Sequence, residues 1–325
     1  MGILENVNLD LRQKRPHEFG LAGDELYLEI RKKFYPQSAQ GMSRFEMRAW
    51  GIPCRVLMPF VAYEASPFLN PQDMENLDDL WRWVQSLRGE KSWDLCLMSR
   101  LSLSQSNFLR DRLGPLAVAT REQKIWAVEP RGTFEDYLAQ KSYRFRKQYR
   151  FQQNALKAAG VTFGVLESVG GLFDLYQRRH LIKGDGDYSI ETRFQAFLEE
   201  LWSALARQGR LCARCLCVEG PIAGIMAFTH QGNLHVYQYT YDPAYEKLSP
   251  GRHVMLGLIK DQWEQGHSLI DFMTEREFGA PISGTHLGYQ QVQLFAPTWR
   301  GHMLAQKSRW GSIFRSFKRR GRATL

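Results

Sequence analysis

Residues 241–266 read YDPAYEKLSPGRHVMLGLIKDQWEQG, and the fold turns on why Ser249, Pro250, Gly251 and Arg252 stand directly before an amphipathic helix of four turns. Pro250 has no amide hydrogen to lose, so it suits a first helical turn, and Gly251 lets the backbone approach a ligand closely. The amides of Gly251, Arg252, His253 and Val254 would then face outward from a helix N-terminus that carries about half a positive charge. Such an end holds an anion, and a pyrophosphate suits it, with Arg252 adding a full charge at the same place. On the tetrapeptide alone an ordinary helix start after a loop is the stronger explanation, so its neighbours must decide.

The preceding run LCARCLCVEGPIAGIMAFTHQGNLHVYQYTYD reads as three antiparallel strands, with turns at Glu219-Gly220-Pro221 and Gln231-Gly232-Asn233. HSLIDFM after the helix reads as a further strand. Upstream, IETRFQAFLEELWSALARQG sets Ile190, Phe194, Phe197, Leu198, Leu201, Trp202 and Leu205 at helical spacing, a core face. A helix near 171–183 and a strand VTFGVLES come before it. Earlier still, TFEDYLAQKSYRFRKQYRFQQNALKAAG reads as one helix stopped by Gly160. The polar turn GDGDYS, with Asp185 and Asp187, lacks the full spacing of a calcium loop. In the first half, RVLMPFVAYE and SWDLCLMSRL read as strands around a helix that starts after Pro71 and ends at Gly89.

With 325 residues, 44% of them apolar, the chain can bury a sizeable core. No apolar run reaches 18 residues and the start has no signal-peptide core, which places the protein in the cytoplasm. Five cysteines, Cys54, Cys96, Cys212, Cys215 and Cys217, are read as reduced thiols, and CARCLC as a strand rather than a metal site. The net charge of +9 is uneven: residues 141–157 hold six Lys or Arg and no acid, residues 278–325 hold eight and no acid, and the remainder is net acidic.

In this order the elements resemble the acyl-coenzyme A binding half of the GNAT superfamily, in its FemAB-like or CelD (BioF2-like) acetyltransferase branch. The residues carrying the likeness are CLCVEGPIAGIMAFTHQGNLHVYQYTYD, the glycine-bearing LSPGRH, the helix, and Asp271-Phe272. The resemblance spans roughly 40–295. It implies an α/β (α+β) fold of two tandem GNAT-like domains, each a mixed, largely antiparallel sheet flanked by helices. The expected division is 1–130 for a degenerate first half, 131–300 for the donor-binding domain and 301–325 for a basic tail. The family's Tyr-Lys pair soon after its DF strand has no counterpart, since Tyr289-Gln290 follows Asp271 by eighteen residues.

Acyl transfer to an amine needs the neutral nucleophile, and an aliphatic amine with pKa near 10.4 must first lose a proton. Glu275, Glu277 and Asp271 are the candidate bases, and Tyr289 or Tyr239 the candidate acid for the departing thiolate. Tyr239, Tyr241, Ser249, Gly251, Arg252, His253 and Val254 are expected at the donor, with no metal, and Tyr237, Tyr239 and Tyr241 alternate on one strand face. Arg144, Arg146 and Lys147 sit among Tyr143, Phe145, Tyr149 and Phe151 and are candidates to touch substrate or phosphate; a solvated helix with its aromatics turned inward is the competing explanation. Three functions compete. The first is an N-acyltransferase using acyl-coenzyme A on an amine of an envelope sugar, a lipid or a small metabolite. The second uses aminoacyl-tRNA, as Fem-type transferases do, and the third is a non-catalytic envelope-assembly protein with a vestigial donor site. In the tail, Trp310, Ile313, Phe314 and Phe317 fall on one side of a helix rich in Arg and Lys, a pattern suited to an anionic inner-membrane surface or to tRNA.

Overall fold

The computed structural model describes residues 25–34, 42–49, 51–59, 77–89, 92–183, 192–230, 232–263, 265–273 and 279–320. The chain forms two compact units, residues 1–124 with 288–325, and residues 125–287. The first unit is therefore completed by the C-terminal part of the chain.

That unit opens with helix α1 (Glu25–Phe34) and a hairpin of β1 (Met42–Ala49) and β2 (Ile52–Pro59). Ala49 pairs with Ile52 across a tight turn in which Gly51 has φ 80°, a conformation costly to residues with a Cβ. Helix α2 (Leu77–Gly89) leads to β3 (Leu95–Leu101), parallel to β2. At this junction the Arg55 amide and guanidinium donate three hydrogen bonds of 2.9–3.1 Å to the buried Asp94 carboxylate. Burial pushes the Asp94 carboxyl up, and the Arg55 bonds outweigh it to hold the group below its ordinary range. Helix α3 (Leu103–Leu113) starts on a capping box, Ser102 accepting from the Gln105 amide while Gln105 accepts from that of Ser102. β4 (Ala117–Val128) then carries the chain into the second unit.

In the second unit the helix expected over 133–160 is two: α4 (Phe134–Ala139) and α5 (Tyr143–Ala158), broken where Ser142 caps α5 by accepting from the Phe145 amide. There follow β5 (Thr162–Val165), α6 (Gly170–Lys183), α7 (Thr192–Arg207), β6 (Leu211–Cys217), β7 (Pro221–His230), β8 (Asn233–Tyr241), α8 (Pro250–Trp263) and β9 (Ile270–Asp271). The hydrogen-bonded order is β4-β9-β8-β7-β6-β5, antiparallel except for β8 with β9. On one side of this sheet the core joins Val254, Leu258 and Trp263 of α8 to Ile225, Ala227, Leu234 and Val236. In α7, Phe197, Leu198, Leu201, Trp202 and Leu205 are buried as expected, while Ile190 and the GDGDYS turn lie outside the described residues.

β10 (Thr285–Phe295) leads back to the first unit, where its later residues pair antiparallel with β3 to complete the order β1-β2-β3-β10. Helix α9 (Trp299–Arg320) packs Leu304 and Ala305 into the first core, and Ser308 Oγ donates to Gln293 at 2.6 Å. The tail is helical to Arg320 despite Gly311; its side chains from Trp310 onward lie outside the described residues. All five cysteines are free thiols.

Candidate active site

The site begins where β8 and β9 part. β8 pairs along its length with β7, yet meets β9 only at Leu234↔Ile270 and His235↔Asp271. After Asp271 the chain turns through Met273 (φ 52°), whose amide donates to Asp271 Oδ1 at 2.7 Å. The β8–β9 ladder thus ends at His235, and Val236–Tyr241 run on past it. Extended backbone of this kind offers amides and carbonyls to an extended ligand.

A β-bulge interrupts the pairing of β8 with β7. Ala227 faces Val236 and Met226 faces Gln238, which leaves Tyr237 as the extra residue. The expectation that the three tyrosines share one face is corrected accordingly. Tyr239 and Tyr241 pack with Ile225 and Ala223 on the α8 side. Tyr237 instead meets Phe228 edge to face at 6.0 Å, and its neighbour Gln238 accepts from Tyr176 Oη of α6 at 2.7 Å.

The chain leaves β8 through a short 3-10 turn, Pro243–Leu248, and reaches Ser249 in the left-handed region (φ 51°, ψ 48°) before α8. The expected four outward amides are fewer. Those of Arg252 and His253 both turn back on the Ser249 carbonyl, at 3.1 and 3.3 Å, and Val254 is inside the helix with its side chain in the core. The Gly251 amide has no intrahelical acceptor by position. A Cβ on Gly251 would lie 3.0 Å from Tyr241 Cδ1, so this glycine is also required by the tyrosine that packs against it. On Tyr241 the Arg179 guanidinium stands 5.1 Å from the ring centre.

Helix α5 grips this turn through buried polar groups. Gln152 Nε2 donates to Ser249 Oγ at 2.7 Å, Gln152 Oε1 lies 3.1 Å from His253 Nε2, and Gln153 Nε2 lies 3.0 Å from His253 Nδ1. An amide nitrogen can only donate, so Nδ1 accepts and Nε2 carries the hydrogen: the imidazole is neutral. Burial, with Arg252 adding to it, pushes the His253 pKa down to about 4, and Tyr149 stacks on the ring at 5.7 Å. His253 is thus a packing and orienting group whose side chain points away from any ligand at the helix end.

The other candidates are placed as follows. Asp271, a candidate base by sequence, is 2% exposed, holds the Met273 turn and lies 3.3 Å from His235 Nδ1, a structural commitment. Glu275 and Glu277 lie outside the described residues, and Tyr289 stands half-buried in β10. Arg144 and Lys147 are exposed on α5, whereas Arg146 donates to the carbonyls of Ala139 and Lys141 at 2.7 and 2.6 Å and so caps the end of α4. Lys141 is a group the sequence did not single out. Its ammonium donates to the Ser283 carbonyl at 2.6 Å beneath the Tyr137 ring, and burial lowers its pKa to about 8. The Gln152–Gln153–His253 clamp also escaped notice; its trace is two amides falling on the helix face of Phe145, Tyr149 and Leu156, where apolar residues are the rule. Among the described residues, no group of three or more His, Cys, Asp or Glu could hold a metal ion.

Residues 143–281 match the family model described as "Acetyltransferase (GNAT) domain". The chain carries a GNAT-type acetyltransferase domain and is an acyltransferase. Solved structures, FemX among them, share its fold. FemX superposes with a TM-score of 0.55 at 10% identity, over 87% of this chain and 96% of its own. A conserved protein of unknown function from Bacteroides thetaiotaomicron gives 0.52 at 11% identity, over 91% of this chain and all of its own. The C-terminal domain of a putative lysylphosphatidylglycerol synthetase from Agrobacterium fabrum gives 0.50 at 11% identity, over 90% and 96%. No curated protein matches this sequence significantly.

Proposed function

We propose that the chain transfers an acyl group from acyl-coenzyme A to an amine of an envelope sugar, a lipid or a small metabolite. The observation that carries this reading is the early parting of β8 from β9, opposite a helix that starts on Ser249, Pro250 and Gly251. Pantetheine is an extended chain of two amides, and β8 beyond the end of its ladder with β9 runs as extended backbone alongside which such a chain would lie. The pyrophosphate would meet the Gly251 amide and Arg252 at the α8 N-terminus, where both charge and dipole favour it. Here the amine nitrogen attacks the thioester carbon, the carbon–sulfur bond breaks, and the thiolate leaves with the electron pair. The proton lost by the amine goes to a base, for which Glu275 and Glu277 remain the proposed groups because they follow the Met273 turn. Asp271 is better read as holding that turn.

A second reading, which rests on the resemblance to Fem-type transferases, takes an aminoacyl-tRNA as donor; FemX shares the fold. Thermal shift with acetyl-coenzyme A, a long-chain acyl-coenzyme A and bulk tRNA separates the two. Stabilisation by either thioester and not by tRNA is expected; the reverse would move the donor to tRNA. Among the described residues no helix is long and apolar enough to cross a membrane.

A further inference from the structure

Helix α5 contains no acidic residue, and its aromatics are divided. Phe145 and Tyr149 turn inward to the core and to His253. Tyr143 and Phe151 turn outward and are 72% and 73% exposed, the two most exposed of the large hydrophobic side chains described. Neither a solvated face with inward aromatics nor a packing role explains these two. At 100° per residue, Tyr143, Arg144, Lys147, Arg150 and Phe151 share a stripe about 120° wide, and the aromatics stand about 12 Å apart along the axis. All five are exposed, and among the described residues none of the three cations pairs with a carboxylate.

We infer that this outer face of α5 docks the protein on an anionic membrane surface. The charge selects an anionic partner. A stripe on one convex helix fits a flat interface, whereas single-stranded nucleic acid binds a basic groove that tracks its backbone. Phenylalanine and tyrosine enter the headgroup region while the cations meet the lipid charges. The inner side of the same helix is clamped to Ser249 and His253, so docking brings the start of α8 to within about one helix diameter, roughly 10 Å, of the bilayer. Resting on the proposed acyl transfer, this makes the acceptor an amine presented at the membrane; the docking itself stands on α5 alone.

The test is vesicle flotation of the full chain with phosphatidylglycerol-containing and pure phosphatidylcholine vesicles, for the parent, the triple variant Arg144→Gln, Lys147→Gln, Arg150→Gln and the pair Tyr143→Ser, Phe151→Ser. The parent should float with the anionic vesicles only. Each neutralised cation weakens binding about fivefold at low salt, so the triple variant should lose about a hundredfold. The aromatic pair should also be released. Either variant floating as the parent does, or a parent that does not float, overturns the inference. So does a variant that loses bulk tRNA in a filter-binding assay but keeps its vesicles. Failure of both acetyl-coenzyme A and a long-chain acyl-coenzyme A to shift the melting of a parent that floats would sink the acyl-donor reading and leave the docking intact.

Discussion

His253 gives the sharpest consequence for stability. It is 2% exposed, accepts from Gln153, donates to Gln152, and has its pKa pushed down from 6.5 to about 4. In the unfolded chain it titrates near 6.5. Between about pH 6.5 and pH 4 the unfolded state therefore binds a proton that the folded state refuses, and acidification favours unfolding. The depression amounts to about 3 kcal/mol when fully expressed, and to about 2 kcal/mol at pH 5, where the unfolded imidazole is almost wholly charged. His253→Gln keeps a polar side chain and removes the titration. The parent should thus lose about 2 kcal/mol more than the variant between pH 7.5 and pH 5, a difference of about 1 M in urea midpoint. Urea unfolding of both proteins at the two pH values measures it. Equal losses in parent and variant would refute the neutral, clamped imidazole.

Further predictions follow from the site. Gly251→Glu should weaken coenzyme A binding about tenfold or more in calorimetry, because the new side chain crowds both Tyr241 and the phosphates; unchanged affinity would remove Gly251 from the donor site. Asp271→Asn should cost about 1–3 kcal/mol in urea unfolding by weakening the Met273 turn and the His235 contact, and full stability would show that the carboxylate holds neither. Glu275→Gln and Glu277→Gln are each compared for turnover: the one removing the base should lower it by roughly two to four decades with donor affinity kept, and two unaffected variants would leave desolvation to deprotonate the amine.

The three-stranded run was legible because its turns are marked by Gly220-Pro221 and Gly232-Asn233, and α7 because its apolar residues keep a strict helical period. Ser142 was not, since a cap in the middle of a basic run looks like any polar residue until the Phe145 amide is seen on it. The strands AVATREQKIWAV and THLGYQQVQLF escaped because their polar residues mask the alternation, and only pairing with other strands defines them. Tyr237, Tyr239 and Tyr241 alternate in the sequence as any strand does. The bulge that separates them depends on the register against β7, which is a tertiary fact. For α8, the Pro-Gly start was read correctly, but the return of two amides to Ser249 follows from its left-handed backbone, for which a serine is no signal.

The central claim is that an acyl-coenzyme A lies between β8 and β9 with its pyrophosphate at the start of α8. A crystal structure with acetyl-coenzyme A bound tests it most directly. The account predicts a phosphate oxygen within hydrogen-bonding distance of the Gly251 amide and pantetheine amides paired with the Val236–Tyr241 edge. A thioester held elsewhere on the chain, with β8 left unpaired, would contradict it.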